Sequence, residues 1–215
     1  MAALLVIDNY DSFTFNLVQM FRRFPLAITV VRANRITAAE AETLAPDYLV
    51  ISPGPRDPAH AGISVPLVKT LGRRIPTLGV CLGMQCINEA HGGRTRRAPV
   101  PVHGKVSRVH HDGTGLLAGM PSPFSAARYH SLAVEMAATG PLRPTAHSPD
   151  GVVMALAHPR RPLFGVQFHP ESFLTENGLT IVENFLKLGP IKERLHDRSD
   201  TKHGRGDHRR PGRAA

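Results

Sequence analysis

Residues 77–91 read TLGVCLGMQCINEAH, and this stretch decides the fold class. An apolar run at 77–81 leads directly into a helix-like segment at 83–91, with glycines at positions 79 and 83 on either side of Cys81. Short apolar runs bounded by turn residues are typical of buried strands. The stretch therefore predicts a strand that passes through a sharp turn into a helix.

The same alternation recurs along the chain. Further apolar runs of strand type lie at 3–7, 27–31, 48–52, 152–156 and 163–168. Helix-like segments lie between several of them, at 13–24, 37–44 and 64–71. Such alternation favours parallel strands joined by crossover helices, whereas residues 104–134 resemble short strands and turns. We expect an α/β fold with a doubly wound, mostly parallel sheet flanked by helices, mixed because antiparallel strands enter toward its later part.

Length and composition favour one compact domain, since the chain has 215 residues and 42% hydrophobic content. No run of about 18 apolar residues offers a membrane span, and residues 1–6 lack the basic start and cleavage site of a secretory signal. Cys81 and Cys86 lack the spacing of a zinc site or a disulfide framework. We expect a cytoplasmic protein with reduced thiols and no membrane partner.

The net charge of +9 is unevenly spread, because residues 192–213 contain eight Lys or Arg and four Asp or Glu. This stretch has almost no large apolar residues, so it cannot bury enough surface to offset the entropy lost on ordering. Basic runs without interleaved aromatic residues are weak support for nucleic-acid binding, and we favour a solvated tail over an RNA- or DNA-binding role. We predict a domain over residues 1–189 and a disordered basic tail over residues 190–215.

The turn around Cys81 has the arrangement of a nucleophile turn, with sulfur where G-x-S-x-G hydrolases carry oxygen. Glycines at 79 and 83 suit it, because a sharp strand-to-helix turn leaves no room for Cβ atoms beside the nucleophile. The turn also places the side chain at a helix amino terminus, where the dipole favours the thiolate. We predict that Cys81 is the reactive thiol and that Cys86, inside the helix, is structural.

A thiol that attacks an amide needs a base, and the base needs a group that orients it. The segment FHPES at 168–172 follows the last apolar run; Pro170 restricts His169 to extended geometry, which puts His169 and Glu171 on one side of the chain. Of the 12 histidines, only His130 competes seriously with His169. Seven others, including His103, lack such a context.

These two segments resemble the signatures of class I glutamine amidotransferases, in which Cys, His and Glu form a triad. The matching stretches are GVCLGMQ at 79–85 and FHPES at 168–172. Other segments look like the small, glutaminase subunit of anthranilate synthase or 4-amino-4-deoxychorismate synthase: DNYDSFTFN at 8–16, SPGP at 52–55, HGK at 103–105, HHDG at 110–113 and RYHSL at 128–132. The resemblance covers about residues 3–188 and occurs in the family's order.

The resemblance implies that Cys81 is the nucleophile, that His169 is the general base and then the acid, and that Glu171 orients His169. It also implies residues that bind L-glutamine: Gly54, Pro55, Arg56, Leu82, Gln85, Ser131 and Leu132. The backbone N–H groups of residues 54 and 82 would form the oxyanion hole. The side chain at 85 and the backbone at 131 and 132 would hold the α-amino and α-carboxylate groups. Arg56 stands where many members carry a small residue, but the contact there is largely through backbone, so we expect binding to survive.

A member of this family would release ammonia to a chorismate-using large subunit, for anthranilate in tryptophan synthesis or for aminodeoxychorismate in folate synthesis. We expect no metal or organic cofactor in this subunit; any Mg²⁺ would belong to the partner synthase. Residues 9–12 would contact that partner. Two other interpretations stay open, a stand-alone cysteine hydrolase and a non-catalytic regulator that only binds a partner or nucleic acid.

Overall fold

The computed structural model describes residues 1–191. Nine strands occur in this part of the chain: β1 Ala2–Asp8, β2 Leu26–Arg32, β3 Tyr48–Ile51, β4 Thr77–Val80, β5 Arg94–His111, β6 Phe124–Glu135, β7 Arg143–His147, β8 Val153–Ala157 and β9 Leu163–Val166. Five α-helices accompany them: α1 Thr14–Phe21, α2 Ala38–Thr43, α3 Ser64–Thr70, α4 Leu82–Ala90 and α5 Gly178–Leu186. None of these helices is long and apolar enough to cross a membrane.

The strands form one mixed sheet in the order β2-β1-β3-β4-β9-β8-β7-β5-β6. Neighbours from β2 to β9 pair in parallel. Neighbours from β9 to β6 pair antiparallel. The predicted doubly wound, mixed α/β fold is confirmed, with the antiparallel strands in the later part of the chain.

Helices cover both faces of the parallel half, so its strands are apolar on both sides. Alternate residues of β1 point to opposite faces. Leu4 and Val6 belong to a buried cluster that includes side chains of α1 and α5, whereas Leu5 and Ile7 pack in a second cluster with side chains of α2, α3 and α4. The carboxyl ends of these parallel strands meet at one edge of the sheet, which is where functional groups are expected.

The antiparallel half differs from the prediction of short strands and turns. β5 and β6 are long partners, and shifts in their register interrupt the pairing between Arg97 and Val102 and again at Gly104, whose φ is +68°. Most of β5 is exposed, so its sequence lacks the apolar alternation of a half-buried strand. The sequence patterns also missed β7, which is short and polar, and α5.

The described residues end at Ile191, two residues beyond the boundary predicted at residue 189. Ile191 is 2% exposed and belongs to the larger core cluster. Its backbone N–H donates to the Tyr48 hydroxyl at 3.1 Å, and that hydroxyl donates to the Leu186 carbonyl at 2.7 Å. The rest of the predicted disordered tail, residues 192–215, lies outside the described residues.

Candidate active site

A cavity of about 300 Å³ opens at the carboxyl ends of β3 and β4, beside β6. It brings together eight of the ten residues selected from the sequence: Gly54, Pro55, Arg56, Cys81, Leu82, Gln85, Ser131 and Leu132. The remaining two, His169 and Glu171, do not line the cavity. Their side chains are 2% and 0% exposed, and His169 lies next to Cys81.

The turn that carries Cys81 has a strained backbone. Cys81 has φ +53° and ψ −105°, outside the regions that side chains ordinarily adopt, and it directly precedes α4. A Cβ on Gly79 would collide with the backbone of Gly83, and one on Gly83 would collide with the backbone of Ile51 in β3. The two glycines therefore allow β3, β4 and α4 to approach closely enough to hold the thiol at the helix amino terminus.

His169 and Glu171 form a buried pair, as their spacing predicted. The His169 Nδ1 and Glu171 Oε1 atoms are 2.7 Å apart. Because a carboxylate only accepts, Nδ1 carries the proton and Nε2 is the nitrogen left for the thiol. Nε2 is buried and makes no aligned hydrogen bond among the described residues.

The pKa of His169 is raised to about 10 by its neighbours. Burial acts in the opposite direction and lowers this pKa, but the Cys81 sulfur and the Glu171 carboxylate outweigh it. The imidazole therefore retains its proton easily and can deliver it to a leaving group.

Aromatic rings hold the imidazole from two sides. Phe13 and Tyr129 contact His169 edge-on, with ring centroids 5.3 Å and 5.0 Å away. Phe13 belongs to the DNYDSFTFN segment, so this segment contributes to the wall of the site. Such packing excludes water from the imidazole and restricts its orientation.

Gln167 was not selected from the sequence, but the structure places it between two residues that were. Its side-chain amide Nε2 donates to the Cys81 sulfur at 3.4 Å, and its Oε1 accepts from Gln85 Nε2 at 3.2 Å. The side chain is fully buried. The alternation of an extended chain puts residues 167 and 169 on the same side, and this signal was available in the sequence.

Gly54 and Leu82 lie next to each other, as an oxyanion hole requires. A Cβ on Gly54 would lie 2.6 Å from Leu82 Cδ2 and 2.6 Å from Asn9 Cβ. Their backbone N–H groups donate to no acceptor within residues 1–191. Asn9 is 4% exposed and bonds to Ser52 and Ser64, so its side chain holds the loop before Gly54; the contact of residues 9–12 with a partner stays a prediction.

Arg56 has φ +66°, which explains why small residues suit this position. An arginine adopts this conformation at some cost in strain, and its side chain is exposed. The contribution of residue 56 to the cavity is therefore compatible with a backbone contact.

Two histidines that the sequence did not assign to the site also line the cavity, His103 and His130. His103 was set aside for lack of context, yet its Nε2 lies 2.7 Å from Ser131 Oγ across the β5–β6 pair. This contact depends on the pairing of two strands and has no local sequence signal. Cys86, by contrast, is fully buried within α4, and burial raises the pKa of its thiol far above the ordinary range, as suits a structural cysteine.

The fold and this site define an α/β protein of the cysteine-hydrolase type, with a thiol on a strained strand-to-helix turn and a buried His–Glu pair beside it. The sequence profile of the family "Glutamine amidotransferase class-I" matches residues 5–188. The chain belongs to this family.

The relatives are similar over most of their length. The chain is 50% identical over 185 residues to anthranilate synthase component 2 of Azospirillum brasilense, covering 85% of this chain and 94% of that protein. It is 52% identical over 185 residues to anthranilate synthase component 2 of Thermus thermophilus, covering 85% and 91%. A solved glutamine amidotransferase from Thermotoga maritima has a TM-score of 0.68 over 92% of this chain and 85% of that chain; at 15% identity this shows the fold alone.

Proposed function

We propose that this chain is the glutaminase subunit of anthranilate synthase, which hydrolyses L-glutamine and supplies ammonia to a chorismate-using partner. The observation that carries the proposal is the position of Cys81 beside the 2.7 Å His169–Glu171 pair, within a family in which relatives about half identical are named anthranilate synthase component 2. These names favour anthranilate over aminodeoxychorismate as the product into which the ammonia is incorporated.

The reaction begins when His169 takes the proton of the Cys81 thiol and the thiolate attacks the side-chain amide carbon of glutamine, so that the carbonyl electron pair moves to oxygen. The backbone N–H groups of Gly54 and Leu82 stabilise this oxyanion; losing one such donor typically costs about 10²–10³-fold in rate. His169 donates its proton to the amide nitrogen, the oxyanion re-forms the carbonyl as the carbon–nitrogen bond breaks, and ammonia leaves.

A γ-glutamyl thioester then remains on Cys81. His169 takes a proton from water, the hydroxide attacks the thioester carbonyl, and the carbon–sulfur bond breaks to release glutamate. Glu171 acts throughout on the far nitrogen of the imidazole, where it fixes the tautomer and stabilises the protonated form. No step of this cycle calls for a metal or organic cofactor in this subunit; we assign Mg²⁺ to the partner.

Cys81→Ser tests the proposal when the chain is assembled with an anthranilate synthase large subunit. We expect glutamine-dependent anthranilate formation to be lost while ammonia-dependent formation by the same complex is kept, because the synthase accepts ammonia from solution. The matched control is Cys86→Ser, which removes the structural thiol of α4 and is expected to keep both activities.

Three other outcomes would contradict the proposal. Glutamine-dependent activity in Cys81→Ser would mean that the nucleophile is wrong. Glutamine hydrolysis by the free chain at the rate of the complex would favour a stand-alone hydrolase. No hydrolysis by the wild-type complex would favour the non-catalytic regulator.

The partner is expected to bind at the edge of the sheet that carries the cavity. Tyr10 follows β1 there and is 49% exposed, and Phe173, two residues beyond Glu171, is 94% exposed. Large exposed aromatic side chains are enriched in protein interfaces. Asp11 is less suitable as a probe than the sequence suggested, since its carboxylate accepts from the backbone N–H of Phe13, which packs on His169.

Phe173→Ser tests this surface. We expect the free chain to hydrolyse glutamine slowly and the synthase to accelerate it by aligning groups from separate loops, because misplacement of about 1 Å costs roughly 10²-fold. Phe173→Ser should weaken this activation and leave the slow turnover of the free chain unchanged. The control is Val100→Ser, which changes a large exposed residue on β5. If the synthase activated Phe173→Ser and Val100→Ser to the same extent, the partner would bind elsewhere.

A further inference from the structure

Arg128 is an arginine buried to 2% exposure in the middle of β6. Its guanidinium makes two parallel hydrogen bonds to Asp150, with Nη1 3.0 Å from Oδ1 and Nη2 3.1 Å from Oδ2. A third bond from Nη1 reaches Ser107 Oγ at 3.2 Å. Burying a charged group is costly unless it is paired and hydrogen-bonded, so an arginine in this position calls for a specific purpose.

A fourth donor of this guanidinium fixes the protonation state of His130. Arg128 Nε donates to His130 Nε2 at 3.0 Å, and His130 Nδ1 lies 2.9 Å from the Leu132 carbonyl oxygen. Arginine only donates and a carbonyl only accepts, so Nε2 must be the bare nitrogen and Nδ1 must carry the proton. Burial, followed by the charge of Arg128, lowers the pKa of His130 to about 4, in agreement with a neutral ring.

The His130 imidazole therefore stabilises the conformation of the strand backbone that follows it. It spans from residue 130 to the carbonyl of residue 132 and encloses Ser131 and Leu132, which line the cavity. Pairing with β5 holds Leu132 opposite Arg97 and His130 opposite Val102, but the register shifts between these pairs and leaves Ser131 without a partner in the ladder. At this interruption of the strand pairing, side-chain contacts help to fix the backbone.

We propose that Asp150, Arg128 and His130 form a buried positioning chain that shapes the Ser131–Leu132 backbone to bind the α-amino and α-carboxylate groups of glutamine. This inference rests on the proposed glutaminase function. None of the three residues takes part in the chemical steps at Cys81. The positioning chain therefore sets the affinity for glutamine, and its loss should change KM more than kcat.

His130→Leu and His130→Asn form the decisive pair of variants. Leucine fills the buried space without a donor, whereas the asparagine side-chain amide can donate to the Leu132 carbonyl from nearly the position of Nδ1. In the assembled complex we expect His130→Leu to raise KM for glutamine about tenfold or more, with kcat changed less than threefold, since one aligned hydrogen bond is worth about a factor of ten. His130→Asn should recover most of the affinity.

Protection of Cys81 from alkylation gives a readout that needs no turnover. Iodoacetamide should label Cys81 at the same rate in all three proteins without glutamine, and glutamine should protect His130→Leu only at correspondingly higher concentration. Labelling is measured in a Cys86→Ser background, and thermal unfolding of each variant is recorded.

The outcomes separate this inference from the function on which it rests. An unchanged KM and unchanged protection in His130→Leu, with an active wild type, would overturn the positioning chain alone. Equal loss in His130→Leu and His130→Asn, or a loss of kcat without KM, would also overturn it. A wild-type complex without glutamine hydrolysis would overturn the proposed function and the chain together.

Discussion

Gly83→Ala tests whether the close packing of α4 on β3 positions the Cys81 thiol. A Cβ on Gly83 would lie 3.0 Å from the Ile51 carbonyl carbon and 3.1 Å from its Cβ, and closer still to its carbonyl oxygen. Ile51 is fully buried at the end of β3, so this backbone cannot swing aside as a flexible side chain can. Restoring ordinary contact requires α4 to move away from β3 by about 1 Å.

The expected cost follows from two opposing effects. Overpacking against rigid backbone costs about 1–3 kcal/mol, and this clash belongs at the upper end. Replacing a helical glycine with alanine stabilises the helix by about 1 kcal/mol. The net loss of about 2 kcal/mol corresponds to a fall in Tm of about 4–8 °C for a chain of this size. Because Cys81 shifts with α4, glutamine hydrolysis should fall by roughly 10²-fold.

Gly72→Ala is the matched control. Its Cβ would lie 3.6 Å from the nearest atom, Leu163 Cδ1, in ordinary contact. We expect its Tm to stay the same or rise slightly, since the substitution restricts the unfolded chain. Thermal unfolding followed by circular dichroism and glutamine hydrolysis in the complex measure both effects. If Gly83→Ala melted within about 1 °C of the wild type and kept its activity, the close packing of α4 on β3 would be refuted.

Three further predictions concern the thiol, the carboxyl terminus and pH. Gln167→Leu removes the donor to the Cys81 sulfur and should lower kcat for glutamine about tenfold; an unchanged kcat would show that this contact does not contribute to catalysis. Ending the chain after Ile191 should leave Tm and glutamine hydrolysis unchanged. Ending it after residue 189 should lower the free energy of unfolding by about 1–3 kcal/mol, because it removes the buried Ile191 side chain. Equal stability of the two truncated proteins would contradict this prediction. His130 has a pKa lowered to about 4 from an ordinary 6.5 by burial first and by the charges of Arg128 and His169 next, with the Leu132 carbonyl and Asp150 opposing them. The unfolded chain therefore binds this proton first, and stability should fall by up to about 3 kcal/mol as pH drops from 6.5 to 4; denaturant titrations of His130→Asn should show a smaller loss over that window.

The sequence alone determined the parallel half of the fold and the central pair of the site. Each of those features depends on residues close together along the chain. The glycines around Cys81 mark a strand-to-helix turn, and the spacing of His169 and Glu171 puts both on one side of an extended segment. The apolar runs identified these strands because both faces of the parallel sheet are covered.

Only the tertiary structure decided the lengths of β5 and β6, the presence of β7 and the contacts that support the site. β5 is mostly exposed and carries register shifts, so no periodic pattern reveals its length. Gln167 reaches a sulfur 86 positions away, and Arg128 meets a carboxylate 22 positions away. An arginine in a sequence suggests solvent exposure, and its burial becomes visible only when β6 and the turn after β7 come together. Side chains distant in sequence meet because the sheet folds them to one edge, and no local pattern encodes that meeting.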